Sequence, residues 1–237
     1  MRLALFGDGR MGRAVRTLAE EGGWEVGAVV TDRDAGLGPE ELARLVRGHD
    51  AAIDFSIAEA VVGHVAACVR ARVPLVQGTT GWQEREAEVR RLVADGDGAL
   101  LFGANFSIGV QVLYRLVDRA AELLGGVPGY DVFIEEAHHA AKRDAPSGTA
   151  LELRRLVRGR LGRDVGIAST RAGQIAGEHR VGFESAADSI MLIHSAHSRA
   201  GFAAGALAAA RWLCGRRGVY QFGDAFEDIL ASERRSP

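Results

Sequence analysis

A chain of 237 residues that is 47% hydrophobic and 25% charged carries enough apolar material for one large core or two modest ones. Its formal net charge of -2 lacks the basic excess that a phosphate backbone demands, so nucleic acid is not an expected partner. No apolar run reaches membrane-spanning length, the start shows no secretory leader, and Cys68 and Cys214 form no C-x-x-C pair, so the expected compartment is the cytoplasm and no membrane partner is expected.

In chain order, short apolar runs at 3–6, 26–31, 51–55, 74–77 and 99–102 alternate with helical periodicity over 10–21, 58–72 and 83–94. That alternation is the pattern of βαβ units and predicts a doubly wound parallel sheet. A long helical pattern then runs from 107 to about 124. Beyond it, period-two strands are expected at 130–137, 167–172, 180–185 and 189–194, with one helix at 151–160. The fold class predicted is α/β: an N-terminal Rossmann-type dinucleotide-binding domain over 1–106 and a second, α+β substrate domain over 107–211 built on an open mixed sheet. The tail, 212–237, is read as helix and loop returning to the first domain. An open sheet needs its bare face or edge covered, which suggests oligomerisation through it.

The run Gly7-Asp8-Gly9-Arg10-Met11-Gly12 follows the first strand and opens the first helix. There the first glycine makes a tight turn, the second lets a pyrophosphate approach the backbone, and the third lets helix and strand pack closely. Asp32 ends the second strand about twenty residues on, where a ribose hydroxyl partner belongs, and Arg33 beside it could hold the 2′-phosphate of NADP. Both NADH and NADPH are therefore open. The loops Gly78-Thr79-Thr80-Gly81 and Gly103-Ala104-Asn105-Phe106 follow later strands at the edge where doubly wound sheets bind ligands.

Chemistry concentrates between Glu135 and Ala150. Lys142 is the only lysine among 29 basic residues; every other is arginine, which cannot give up a proton near neutrality. The adjacent His138 and His139 are the best general acid or base candidates, and both reach one site only if the strand breaks or twists there. Gly148 and Thr149 open a helix whose amides suit a carboxylate. Arg199 is a further carboxylate contact or a structural ion pair. No metal is expected, because His179, His194 and His197 show no ligand spacing matched to the His138-His139 pair.

The run His138-His139-x-x-Lys142-x-Asp144-Ala145-Pro146-Ser147-Gly148-Thr149-Ala150 resembles the signature of the 4-hydroxy-tetrahydrodipicolinate (dihydrodipicolinate) reductase family. The similarity extends through Gly9-Arg10-Met11-Gly12, Gly78-Thr79-Thr80-Gly81, Ala104-Asn105-Phe106-Ser107, Arg171-Ala172-Gly173 and Gly177-Glu178-His179, with a first loop one residue shorter than the commoner family form. The resemblance implies NAD(P)H-dependent reduction of a cyclic dicarboxylate with loss of water, in lysine and diaminopimelate biosynthesis. It implies His138 as proton donor and acceptor, Lys142 as proton donor, His139, Gly148 and Thr149 as substrate-binding groups, and a homotetramer. Two rivals stay in view: another Rossmann-type reductase of a small carboxylated substrate, and a non-catalytic nicotinamide-binding sensor.

Overall fold

The computed structural model describes residues 1–234. The elements in order are β1 (Arg2–Phe6), α1 (Arg10–Glu21), β2 (Glu25–Val30), α2 (Pro39–Val46), β3 (Ala51–Asp54), α3 (Val61–Ala71), β4 (Leu75–Gln77), α4 (Glu86–Asp95), β5 (Ala99–Phe102), α5 (Ile108–Leu124), β6 (Asp131–His138), α6 (Gly148–Leu161), β7 (Ile167–Arg171), β8 (Glu178–Glu184), β9 (Ser189–Ser195), α7 (Ala200–Leu213), β10 (Gly218–Gln221) and α8 (Phe222–Glu233).

The described residues divide into two compact units, 1–107 with 202–234, and 108–201. The first holds a six-stranded, wholly parallel sheet in the order β10-β5-β4-β3-β1-β2. Its central strands, β1, β3 and β4, are buried almost end to end, as strands covered by helices on both faces must be. Successive connections run to opposite sides of β1, which places the sheet's switch point between β1 and β3, the position where ligands of this architecture bind.

Two readings of the tail need correction. The return to the first unit begins at Phe202 rather than at 212, because the alanine-rich α7 packs there: a Cβ on Gly205 would stand 1.8 Å from the Phe106 carbonyl oxygen. Residues 218–221, expected within helix and loop, form β10, which adds to the sheet beside β5. Gly218, at a left-handed φ of 103°, opens this strand, and the helical periodicity belongs only to the following α8. The short helix α2 was also unread; Pro39 at its first turn and a Glu41 contact to the Gly38 N–H start it.

The second unit is a mixed sheet, β7-β6-β8-β9, with β6 parallel to β7 and antiparallel to β8. Val132, Ile134, Glu136 and His138 alternate onto the buried face of β6, where Leu113, Val117, Leu153, Val157, Val181 and Phe183 form the core with α5 and α6. Met191 and Ile193 of the edge strand β9 are exposed.

Candidate active site

In the first unit the glycine loop has the geometry its spacing predicts. Gly7 has a φ of 96°, and a Cβ there would lie 2.6 Å from the Phe55 carbonyl oxygen; a Cβ on Gly12 would lie 2.0 Å from that of Gly7. Apart from its chain neighbours, no residue comes within 4 Å of where a Gly9 Cβ would sit, so the turn is open where a pyrophosphate would approach. Gly9 caps α1 with no side-chain bond and no acidic residue follows in the first turn, which leaves the helix N-terminus to a ligand anion. Arg10 is exposed and Met11 half-buried, while Asp8 lies 3.6 Å from Arg16.

After β2, Thr31 and Asp34 cap a short turn in which the Arg33 N–H donates to the Thr31 hydroxyl, and Asp32 and Arg33 stay exposed with their side chains outside the cap. After β4, Thr79 is buried and Thr80 exposed; after β5, Ala104 is exposed, Asn105 accepts from the Ser107 N–H, and the Phe106 ring packs against Phe55 and Phe222. The Phe106 side chain is thus core, and its carbonyl faces Gly205 of α7. All four segments follow carboxyl ends of strands in one parallel sheet.

In the second unit β6 ends at His138, so the two histidines do not share its regular alternation: His138 is buried and His139 half-buried past the strand end. Glu136, two residues back on the same face, contacts His138 Nδ1 through a carboxylate oxygen. Arg171 donates to the other oxygen at 2.6 Å and also to the Asp144 carbonyl at 2.6 Å. Lys142 pairs with Asp144 at 2.7 Å. His179, opposite Glu136 in the β6–β8 register, meets His138 edge to face at 5.1 Å and shares a 3.1 Å hydrogen bond with Ser147, the N-cap of α6. Gly148 is exposed and Thr149 half-buried in the first turn of α6, which carries no acidic side chain; Arg199 is exposed just before α7.

The electrostatics follow from burial and these contacts. Burial alone would raise the Glu136 pKa, but hydrogen bonds from Arg171 and Ser169 with the charges of His138 and Arg171 outweigh it and bring it to about 2. Burial pushes His138 below its ordinary value; Glu136 opposes the shift, and the Lys142 and Arg171 charges add to it. Burial, helped by the His138 charge, takes His179 down to about 4. At neutral pH the cluster is a carboxylate beside two neutral imidazoles.

Spacing missed Glu136, Arg171 and His179, and it was a poor argument about metals: strand pairing puts donor atoms of Glu136, His138 and His179 within 4.8 Å of one another. Arg171 occupies the Glu136 carboxylate as its cationic partner.

An open glycine-led anion site on a doubly wound sheet, carried in one chain with a buried imidazole–carboxylate cluster, defines an NAD(P)H-dependent oxidoreductase. The chain belongs to the dihydrodipicolinate reductase family: residues 1–106 match the family's N-terminal part, described as "Dihydrodipicolinate reductase, N-terminus", and residues 109–226 match "Dihydrodipicolinate reductase, C-terminus". It is 32% identical over 244 residues to a 4-hydroxy-tetrahydrodipicolinate reductase of Christiangramia forsetii, covering 97% of this chain and 99% of the relative. It is 44% identical over 217 residues to that of Xanthomonas campestris pv. campestris, covering 88% and 89%. The fold is similar to a dipicolinate-bound dihydrodipicolinate reductase from Paenisporosarcina sp. TG-14, with a TM-score of 0.78 at 21% identity over 94% of this chain and 98% of that one. A probable dehydrogenase of Thermotoga maritima shares the fold at a TM-score of 0.63 and 12% identity, covering 97% and 93%.

Proposed function

We infer that this protein reduces 4-hydroxy-tetrahydrodipicolinate with NADH or NADPH and a proton, giving tetrahydrodipicolinate, the oxidised nucleotide and water, in lysine and diaminopimelate biosynthesis. Family membership over nearly the whole chain supports the reaction. The observation that carries the site is the cluster around His138: an imidazole kept neutral by burial, with a carboxylate behind it and Lys142 contributing positive charge.

The first unit holds the dinucleotide, its pyrophosphate on the open turn at Gly9, Asp32 and Arg33 at the adenosine ribose, and the 78–80 and 103–106 loops at the nicotinamide half. The nicotinamide supplies a hydride when bound. The second unit holds the substrate: Lys142, His139 and the amides of Gly148 and Thr149 counter its two carboxylates, with Arg199 as a further contact. A dianion beside His138 raises the affinity of its imidazole for a proton, so the residue that is neutral in the empty unit becomes the acid that protonates the substrate as hydride arrives. Glu136 stabilises that imidazolium. Two free thiols, Cys68 and Cys214, suit a cytoplasmic enzyme, and the exposed Met191 and Ile193 suit a homotetramer built on the second unit's sheet.

His138→Ala and Lys142→Ala test this reading. Each is expected to lower turnover by about a hundredfold or more while NADH binding is retained. Unaltered turnover in both variants would remove the catalytic assignment, and a sensor would tolerate both changes.

A further inference from the structure

Asp54 has no solvent exposure, ends the central strand β3, and has no place in the chemistry above. Burying a carboxylate in a sheet interior is costly unless its oxygens are met by donors. Here four groups meet it: the Ser56 N–H at 2.8 Å, Gln77 Nε2 at 2.8 Å, Thr79 Oγ1 at 3.2 Å and His64 Nδ1 at 2.8 Å. His64 reaches it from α3, its ring stacked on Phe6 with centroids 4.2 Å apart. With the other three partners donating, hydrogen-bond accounting assigns the His64 proton to Nδ1.

The network lies under the switch point and controls one loop. Thr79 is held at three atoms: its hydroxyl donates to Asp54, its N–H donates to Gln77 Oε1 at 2.8 Å, and its carbonyl accepts from Trp82 Nε1 at 2.8 Å. Both peptide planes flanking Thr79 are thereby fixed, which sets how Gly78 and Thr80 face outward. Phe55 adds a steric limit, since a Cβ on Gly78 would sit 2.1 Å from its ring.

We propose that Asp54 and His64 are positioning residues of the dinucleotide site, acting through Thr79 to hold the 78–80 loop in the shape that receives the nicotinamide half of the cofactor. The proposal rests on the reading that the first unit binds NADH or NADPH. Neither residue touches the cofactor; their contribution is preorganisation, so that binding does not have to order the loop.

The test is titration of the full-length protein with two probes: the dinucleotide, as NADH or NADPH, and ADP-ribose, which lacks the nicotinamide. In His64→Leu the dinucleotide Kd is expected to rise about tenfold while that of ADP-ribose stays within about twofold. His64→Asn, whose amide can replace Nδ1, is expected to restore dinucleotide binding. Thr79→Val, which leaves Asp54 its other three donors, is expected to give the same selective loss and carries the test should His64→Leu fail to fold. Unchanged dinucleotide binding, or parallel loss of both probes, overturns the proposal by leaving only a structural role. A wild type that binds neither probe defeats the dinucleotide reading itself and this inference with it.

Discussion

His138, Lys142 and the glycines of the first loop were legible in the sequence because each carries its meaning locally: a rare lysine beside paired histidines, and a spacing tied to one turn. Asp54, His64, Glu136, Arg171 and His179 were not, because their roles arise from pairings distant in sequence. Glu136 and His179 become neighbours only through the antiparallel register of β6 and β8, and Asp54 and Gln77 through the parallel register of β3 and β4. The same burial makes a prediction about acid stability. His179 titrates at about 4 in the folded unit against 6.5 when unperturbed, so as pH falls through that window the unfolded chain takes up a proton that the folded one refuses. Its contribution is complete above the upper value and lost below it. Glu136, held at about 2 against 4.5, adds a loss in the same direction at lower pH, its contribution being complete above 4.5. Urea midpoints measured across the His179 window should therefore fall less steeply in His179→Gln than in the wild type; equal slopes would show that His179 does not titrate as its burial requires.

At the scale of elements, helix α1 was readable to its ends, since the glycine loop starts it and Gly22 follows its last residue. Strands β1 to β5 were readable as apolar runs, the central ones because both sheet faces are covered, whereas β10 was not. The tail was harder. Helix α7 is alanine-rich and nearly all buried, with a low amphipathic contrast that says nothing about which unit it joins. What decides is close approach: Gly205 lets the helix meet the 103–106 loop at a distance that no side chain permits. Gly205→Ala is expected to destabilise the first unit by about 1–3 kcal/mol or more, seen as a lower thermal midpoint. A midpoint equal to that of the wild type would mean that α7 moves away at no cost and that the contact does not fix it.

At the scale of the whole molecule, the two-unit organisation follows from a change of pattern near residue 107, from covered parallel strands to alternating ones. No helix among the described residues is long and apolar enough to cross a membrane. The second unit leaves the apolar side chains of Met191 and Ile193 on an edge strand, an arrangement that invites another sheet. Met191→Glu with Ile193→Glu is expected to convert a tetramer into smaller species in sedimentation velocity. A wild type that sediments as a monomer, or a variant that stays tetrameric, would contradict assembly through this strand. The account as a whole turns on hydride delivery from a dihydronicotinamide to freshly generated 4-hydroxy-tetrahydrodipicolinate. Reaction with NADH or NADPH deuterated at the reactive ring carbon measures that step directly. Deuterium should appear in tetrahydrodipicolinate as the nucleotide is oxidised; no oxidation of either nucleotide, or oxidation without label in the product, would contradict it.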